Sequence, residues 1–150
     1  YLKTIFLYWI IGFILMLLSN YIINYIIIPN GISNNELSNI ELIKNYKYIY
    51  PLSVCILIPL LEEIIFRGMM FAWIYEKFPR FAHLISSFLF AFAHVVIGML
   101  SGNVGEFIQI VPYFLMALVL SKLYEKSNNI YVPIIAHTVN NFIAVIATMM

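Results

Sequence analysis

Long apolar runs separated by short polar joints dominate the chain, in place of the core-and-surface alternation of a water-soluble domain. About 20 mostly apolar residues in a helix cross a bilayer core. Five stretches reach or approach that length, at residues 5–28, 51–75, 81–100, 107–123 and 130–150. The first ends at Pro29-Asn30-Gly31, a strong helix stop. The fourth is short and holds Pro112, which predicts a tilted, kinked or partly shielded span. The pattern predicts an all-α, polytopic transmembrane helix bundle in which residues 1–150 form a single membrane-embedded domain. The chain opens at Tyr1 inside one apolar run and stops at Met150 inside another, so it is expected to be a piece of a longer membrane protein, or a trimmed form of one. Residues 5–28 are too long for the apolar region of a cleavable signal peptide.

The one long connection, residues 30–50, carries two Ser-x-x-Glu capping boxes, Ser33 with Glu36 and Ser38 with Glu41. Leu37, Ile40 and Ile43 follow at helical spacing, so a short helix on the bilayer surface is expected, with Tyr46, Tyr48 and Tyr50 at headgroup depth. If the spans alternate, Lys3, Lys77, Arg80, Lys122 and Lys126 share one side, and only Lys44 and Lys47 lie on the other. The richer side is expected to be cytoplasmic, which puts the start of the chain inside and its end outside.

Composition strengthens the membrane assignment. Hydrophobic residues make up 63% of the chain, charged residues 10%, and the mean hydropathy is +0.95; soluble domains carry about a quarter charged residues. The net charge of +1 with no basic block argues against nucleic acid as a partner, leaving membrane lipid and a hydrophobic peptide or protein. Cys55 is the single cysteine and reads as packing. The chain has no aspartate, so paired-aspartate chemistry is ruled out. HExxH is absent too, and no serine lies in a GxSG setting.

Charged and polar groups inside spans are expensive and usually face a cavity or one another. Glu63 and Arg67 are four apart with the glutamate first, the better order for an ion pair on one helix face. Glu62 is about 100° around the axis from Glu63, so Arg67 cannot easily serve both. Pro59, one turn earlier, removes a backbone hydrogen bond and can open the helix there. Counted from the presumed cytoplasmic end, Glu62 and His94 both lie about 20 Å deep, and His137 and Asn141 roughly 10 to 16 Å deep. His137 and Asn141 are four apart and share a face, while the alanines around Phe92 let helices approach closely near His94. One carboxylate, two imidazoles and a carboxamide can therefore meet from three helices. A carboxylate shielded from water can trade protons, and with His94 it can activate a water. His137 and Asn141 can then donate hydrogen bonds to an oxyanion. A second reading is zinc held by Glu62, His94 and His137. Further readings are a non-catalytic immunity or scaffold protein, a proton-coupled carrier, or a haem protein with the two histidines as axial ligands.

Three motifs fall in order on successive apolar stretches. Glu62 to Arg67 reads EExxxR, Phe90 to His94 reads FxxxH, and His137 to Asn141 reads HxxxN. Together, over about residues 51–150, they resemble the CAAX protease and bacteriocin-processing (Abi) family of intramembrane proteases, which includes the type II CAAX prenyl endopeptidases. The resemblance implies a helical membrane protease with its site inside the bundle. It implies water activation by Glu62 and His94 and an oxyanion hole of His137 and Asn141, with Glu63, Arg67 and Phe90 in support. It requires no cofactor for the glutamate mechanism, although members are often described as metalloproteases. The Ile- and Asn-rich composition points to a bacterial membrane, and so to peptide maturation or bacteriocin self-immunity.

Overall fold

A computed structural model describes residues 2–29 and 31–150, so Asn30 of the expected stop lies outside the described residues. Among the described residues five helices are long and apolar enough to cross a membrane: α1 (Lys3–Ile27), α3 (Ile49–Lys77), α4 (Ala82–Leu100), α5 (Glu106–Ser127) and α6 (Tyr131–Met149). A shorter helix, α2 (Asn34–Asn45), joins the first two. No described residue lies in a strand, as the all-α expectation requires.

Span boundaries fall within a few residues of those expected, with one instructive exception. The fourth span was expected to end at residue 123, where its apolar run stops. Instead α5 continues to Ser127 and is closed by Asn128 in the left-handed conformation at φ 48°. The last two turns hold charges that satisfy one another: Lys122 pairs with Glu125 at 3.0 Å, and Glu125 lies 3.2 Å from His83 on α4. Pro112 does not interrupt α5; it is buried inside a continuous helix.

In α3 the effect of Pro59 is visible as a change of helix type. Turns with i→i+5 hydrogen bonds occupy Ser53–Leu57 and Ile64–Phe71, on either side of an α-helical stretch at Ile58–Glu63. A proline lacks the N–H that its preceding turn needs, and the wider turn re-routes the backbone bonds. The outcome is a helix loosened on both sides of Glu62 and Glu63.

α5 is the central post, with α4 and α1 packed along it. One seam joins Met116, Leu120 and Leu123 to Trp9 and Met16 of α1 and to Val132 and Ala136 of α6. Gly12 permits the α1 approach, because a Cβ there would fall on the Val119 side chain. Outward-facing Leu7, Leu18, Ile26, Phe88 and Phe142 are exposed, as side chains that meet lipid would be.

α2 forms as expected, but it docks more deeply than a surface helix. Ser33 caps it, accepting from the Glu36 N–H at 3.1 Å; the second box falls inside the helix. Ile43 is buried against Val54, Cys55 and Val145. The carboxylate of Glu106, only 1% exposed, accepts from the Asn34 N–H at 2.6 Å. It thus lies at the positive ends of both α2 and α5, where two sets of free N–H groups favour an anion. Gln109 donates to Asn24 of α1 at 2.9 Å and to the Gly31 carbonyl. Tyr50 donates to Asn39 at 2.5 Å, while Tyr46 and Tyr48 remain exposed.

Gly12→Val should push α1 off α5 and destabilise the bundle by about 1–3 kcal/mol, the usual range for overpacking. Reversible unfolding in mixed detergent micelles measures this, and a stability equal to the unmodified protein would show that α1 is not tightly seated.

Candidate active site

α3 delivers two adjacent glutamates to different surroundings. Glu63 is fully buried, and its Oε1 accepts from the Arg67 guanidinium at 2.8 Å. Arg67 is equally buried; its second terminal nitrogen donates to the Ala117 carbonyl of α5 at 3.1 Å, and its guanidinium carbon lies 4.7 Å above the Phe90 ring. The expected ion pair is present, but it braces three helices rather than one. The same Oε1 meets His137 Nδ1 of α6 at 2.9 Å, a contact the spacing of residues along α3 gave no means to foresee.

Glu62 points the other way, into a cavity of about 760 Å³ bounded by all six helices. Its Oε1 lies 3.5 Å from His94 Nε2 and its Oε2 lies 3.6 Å from His137 Nε2. Ring orientation follows from the other nitrogens. His94 Nδ1 lies 2.8 Å from the Phe90 carbonyl, which can only accept, so that nitrogen carries hydrogen. His137 Nδ1 faces a carboxylate in the same way. Both rings therefore turn Nε2 toward Glu62, and the two gaps are slightly longer than direct hydrogen bonds.

Phe90, expected in a supporting role, lies at the hub of the site and is 2% exposed. Its ring stacks on His94 at 4.4 Å and meets His137 edge-on at 5.9 Å. Asn141 also lines the cavity, and its Nδ2 donates to the Val54 carbonyl at 2.8 Å. A carboxamide nitrogen has two hydrogens, so one is left for a ligand. The neighbouring Asn140, absent from the sequence-based set, is buried between α1 and α5. It accepts from the Trp9 indole at 3.0 Å and donates to the Met116 sulfur at 3.0 Å. Its only signal was its place three residues after His137, on nearly the same face. Glu106, whose carboxylate accepts from the Asn34 N–H, is buried against Gly98.

Among the described residues no group of three His, Cys, Asp or Glu side chains is placed to hold a metal ion. Each imidazole meets a different oxygen of Glu62. Outside the spans, Glu36 lines the cavity and burial raises its carboxyl above the ordinary range.

The sequence matches the model of the type II CAAX prenyl endopeptidase Rce1-like family over residues 44–143, which contain every residue of the three motifs. It is 30% identical over 146 residues to the UPF0177 protein YxdF of Lactococcus lactis, a match covering 91% of this chain and 73% of that protein. It is 37% identical over 89 residues to a Bacillus subtilis protein named "Putative membrane peptidase YdiL", covering 59% of this chain and 32% of that protein. The chain thus spans about a third of the length of the Bacillus relative. No solved structure matches it. With five apolar spans and a family match over two thirds of its length, the chain is a multi-pass membrane protein that belongs to the Rce1-like type II CAAX prenyl endopeptidase family.

Proposed function

We propose that the chain is the catalytic part of an intramembrane endopeptidase that hydrolyses a peptide bond with a water activated by Glu62 and His94. The observation that carries this reading is the Glu62 carboxylate facing two Nε2 atoms, at 3.5 and 3.6 Å, on the wall of a cavity large enough for a short extended peptide. A water at hydrogen-bond distance from both Glu62 Oε1 and His94 Nε2 fits the apex of that pair. Glu62 takes the proton as the water oxygen adds to the carbonyl carbon, and returns it to the amine nitrogen as the C–N bond breaks.

The oxyanion falls to His137 and the second amide hydrogen of Asn141. Donation from His137 requires hydrogen on Nε2, and the ring is held in place by Glu63 at Nδ1. No step uses a metal. The bacterial relatives support a bacterial cytoplasmic membrane, and the lysine distribution supports a chain that starts on the inner side. The mostly apolar lining supports a hydrophobic peptide substrate, which fits peptide maturation or bacteriocin processing and self-immunity.

Three outcomes test the mechanism on protein reconstituted in liposomes with a mixture of short, apolar, internally quenched peptides. Glu62→Gln should lower cleavage by about 10²–10⁴-fold, the usual contribution of a general base; cleavage at the unmodified rate would rule the mechanism out. Arg67→Leu leaves Glu63 as an unpaired buried charge and should destabilise the fold by about 3–5 kcal/mol. Its detergent unfolding curve checks this, and an unchanged midpoint would deny the brace. Exhaustive chelation, checked by elemental analysis, should leave cleavage intact. Loss on chelation with recovery on adding zinc would replace the mechanism with a metal-dependent one.

A further inference from the structure

His137 is anchored by a buried carboxylate, but His94 has no such partner. Its Nδ1 bond to the Phe90 carbonyl fixes one point, and Phe90 covers one face at 4.4 Å. The other face is covered by Tyr113 of α5, with ring centroids 4.7 Å apart and planes 30° from parallel. The imidazole is therefore held between two aromatic rings. Phe90 belongs to the FxxxH motif; Tyr113 belongs to none of the three.

Stacking alone would be met by phenylalanine, yet Tyr113 has a hydroxyl, and that hydroxyl is committed. It lies 2.9 Å from Ser33 Oγ and accepts from Asn35 Nδ2 at 3.2 Å. Ser33 is 2% exposed and is the residue that caps α2. Asn35 lies in the first turn of α2, and Asn35, Glu36, Asn39 and Ile40 of that helix line the cavity that holds Glu62. A buried tyrosine hydroxyl ordinarily finds a partner, and here both partners belong to the helix that walls the cavity. One side chain thus touches an imidazole of the site at one end and the seat of α2 at the other.

We propose that Tyr113 is a positioning residue for His94, and that it makes the placement of the imidazole depend on α2 being docked. With α2 seated, the hydroxyl fixes the Tyr113 ring and the ring presses His94 toward Phe90, with Nε2 aimed at Glu62. With α2 displaced, the hydroxyl loses both partners and the face of His94 is released. The assignment of His94 to water activation rests on the function proposed above, but the clamp itself is a matter of geometry and can be read without any substrate.

The chain has three histidines, so ring C–H resonances of histidine-labelled protein in lipid nanodiscs can be assigned with single substitutions. At one fixed pH, Tyr113→Leu should move the His94 signals downfield by removing one of two shielding rings, while those of His83 stay in place. Tyr113→Phe, which keeps the stacked ring but cuts its link to α2, should broaden or shift the His94 signals, by less than Tyr113→Leu does. Ser33→Ala combined with Asn35→Ala should broaden or shift His94 in the unmodified background and do nothing further in Tyr113→Phe, since the link is already cut. Peptide cleavage by Tyr113→Leu should fall by up to about 10²-fold, as a misplaced catalytic group does, mainly in kcat. Unmoved His94 signals in Tyr113→Leu would overturn the clamp. If that variant does not fold, unmoved signals in the Ser33 and Asn35 double variant would overturn the dependence on α2. Shifts as expected in a protein whose Glu62→Gln form cleaves normally would retain the clamp and discard the Glu62 water-activation mechanism.

Discussion

A charged pair with no access to water, Glu63 with Arg67, sets the terms for the rest of this structure. In an apolar bundle neither ion can be left unsatisfied, and the loss of one leaves the other as an uncompensated charge. Arg67 draws in the Ala117 carbonyl on α5 and the face of Phe90 on α4, and Glu63 draws in His137 from α6. The pair therefore works as a cross-helix brace. It fixes the rotation of α3 against three neighbours, and the rotation of α3 decides where the adjacent glutamate points.

The division between the two glutamates follows. With Glu63 committed to the interior, Glu62 is directed about a quarter-turn away, toward the cavity, where its side chain keeps 23% exposure. The wide turns on each side of Ile58–Glu63 loosen the backbone there, a pattern frequent at functional sites. Two identical side chains in sequence thus acquire different environments, one structural and one open to a ligand.

Much of this was legible in the sequence because polar atoms in a membrane span are rare enough to be informative. Glu62, His94 and His137 could be expected in one pocket from depth and spacing, and the structure brings them together, with Asn141 on the same cavity wall. Tyr113, Asn140 and the second bond of Glu63 were not legible. Each depends on which face of one helix meets another, and an aromatic or an asparagine in an apolar run looks the same whether it fills a core or holds a catalytic ring. The length of α5 was misjudged for a related reason. Hydropathy marks the end of an apolar run, but a helix whose last charges pair along its own face continues past it.

The segments that carry the chemistry and those that shape its container are separable. The family match over residues 44–143 holds the glutamates, both site histidines and Asn141. Outside it lie Phe13, Met16, Leu17 and Asn20 of α1 and Asn35, Glu36, Asn39 and Ile40 of α2, all of which line the cavity. The contact between the two regions is polar and specific: Ser33 and Asn35 on Tyr113, Asn34 on Glu106, and Trp9 on Asn140. Hydrogen bonds of this kind fix orientation, whereas apolar contacts within lipid give little preference for one seating over another. The walls contributed by α1 and α2 are thus held in register with the reactive groups, so a change of wall residues could alter what the cavity accepts while leaving Glu62 and its two histidines in place.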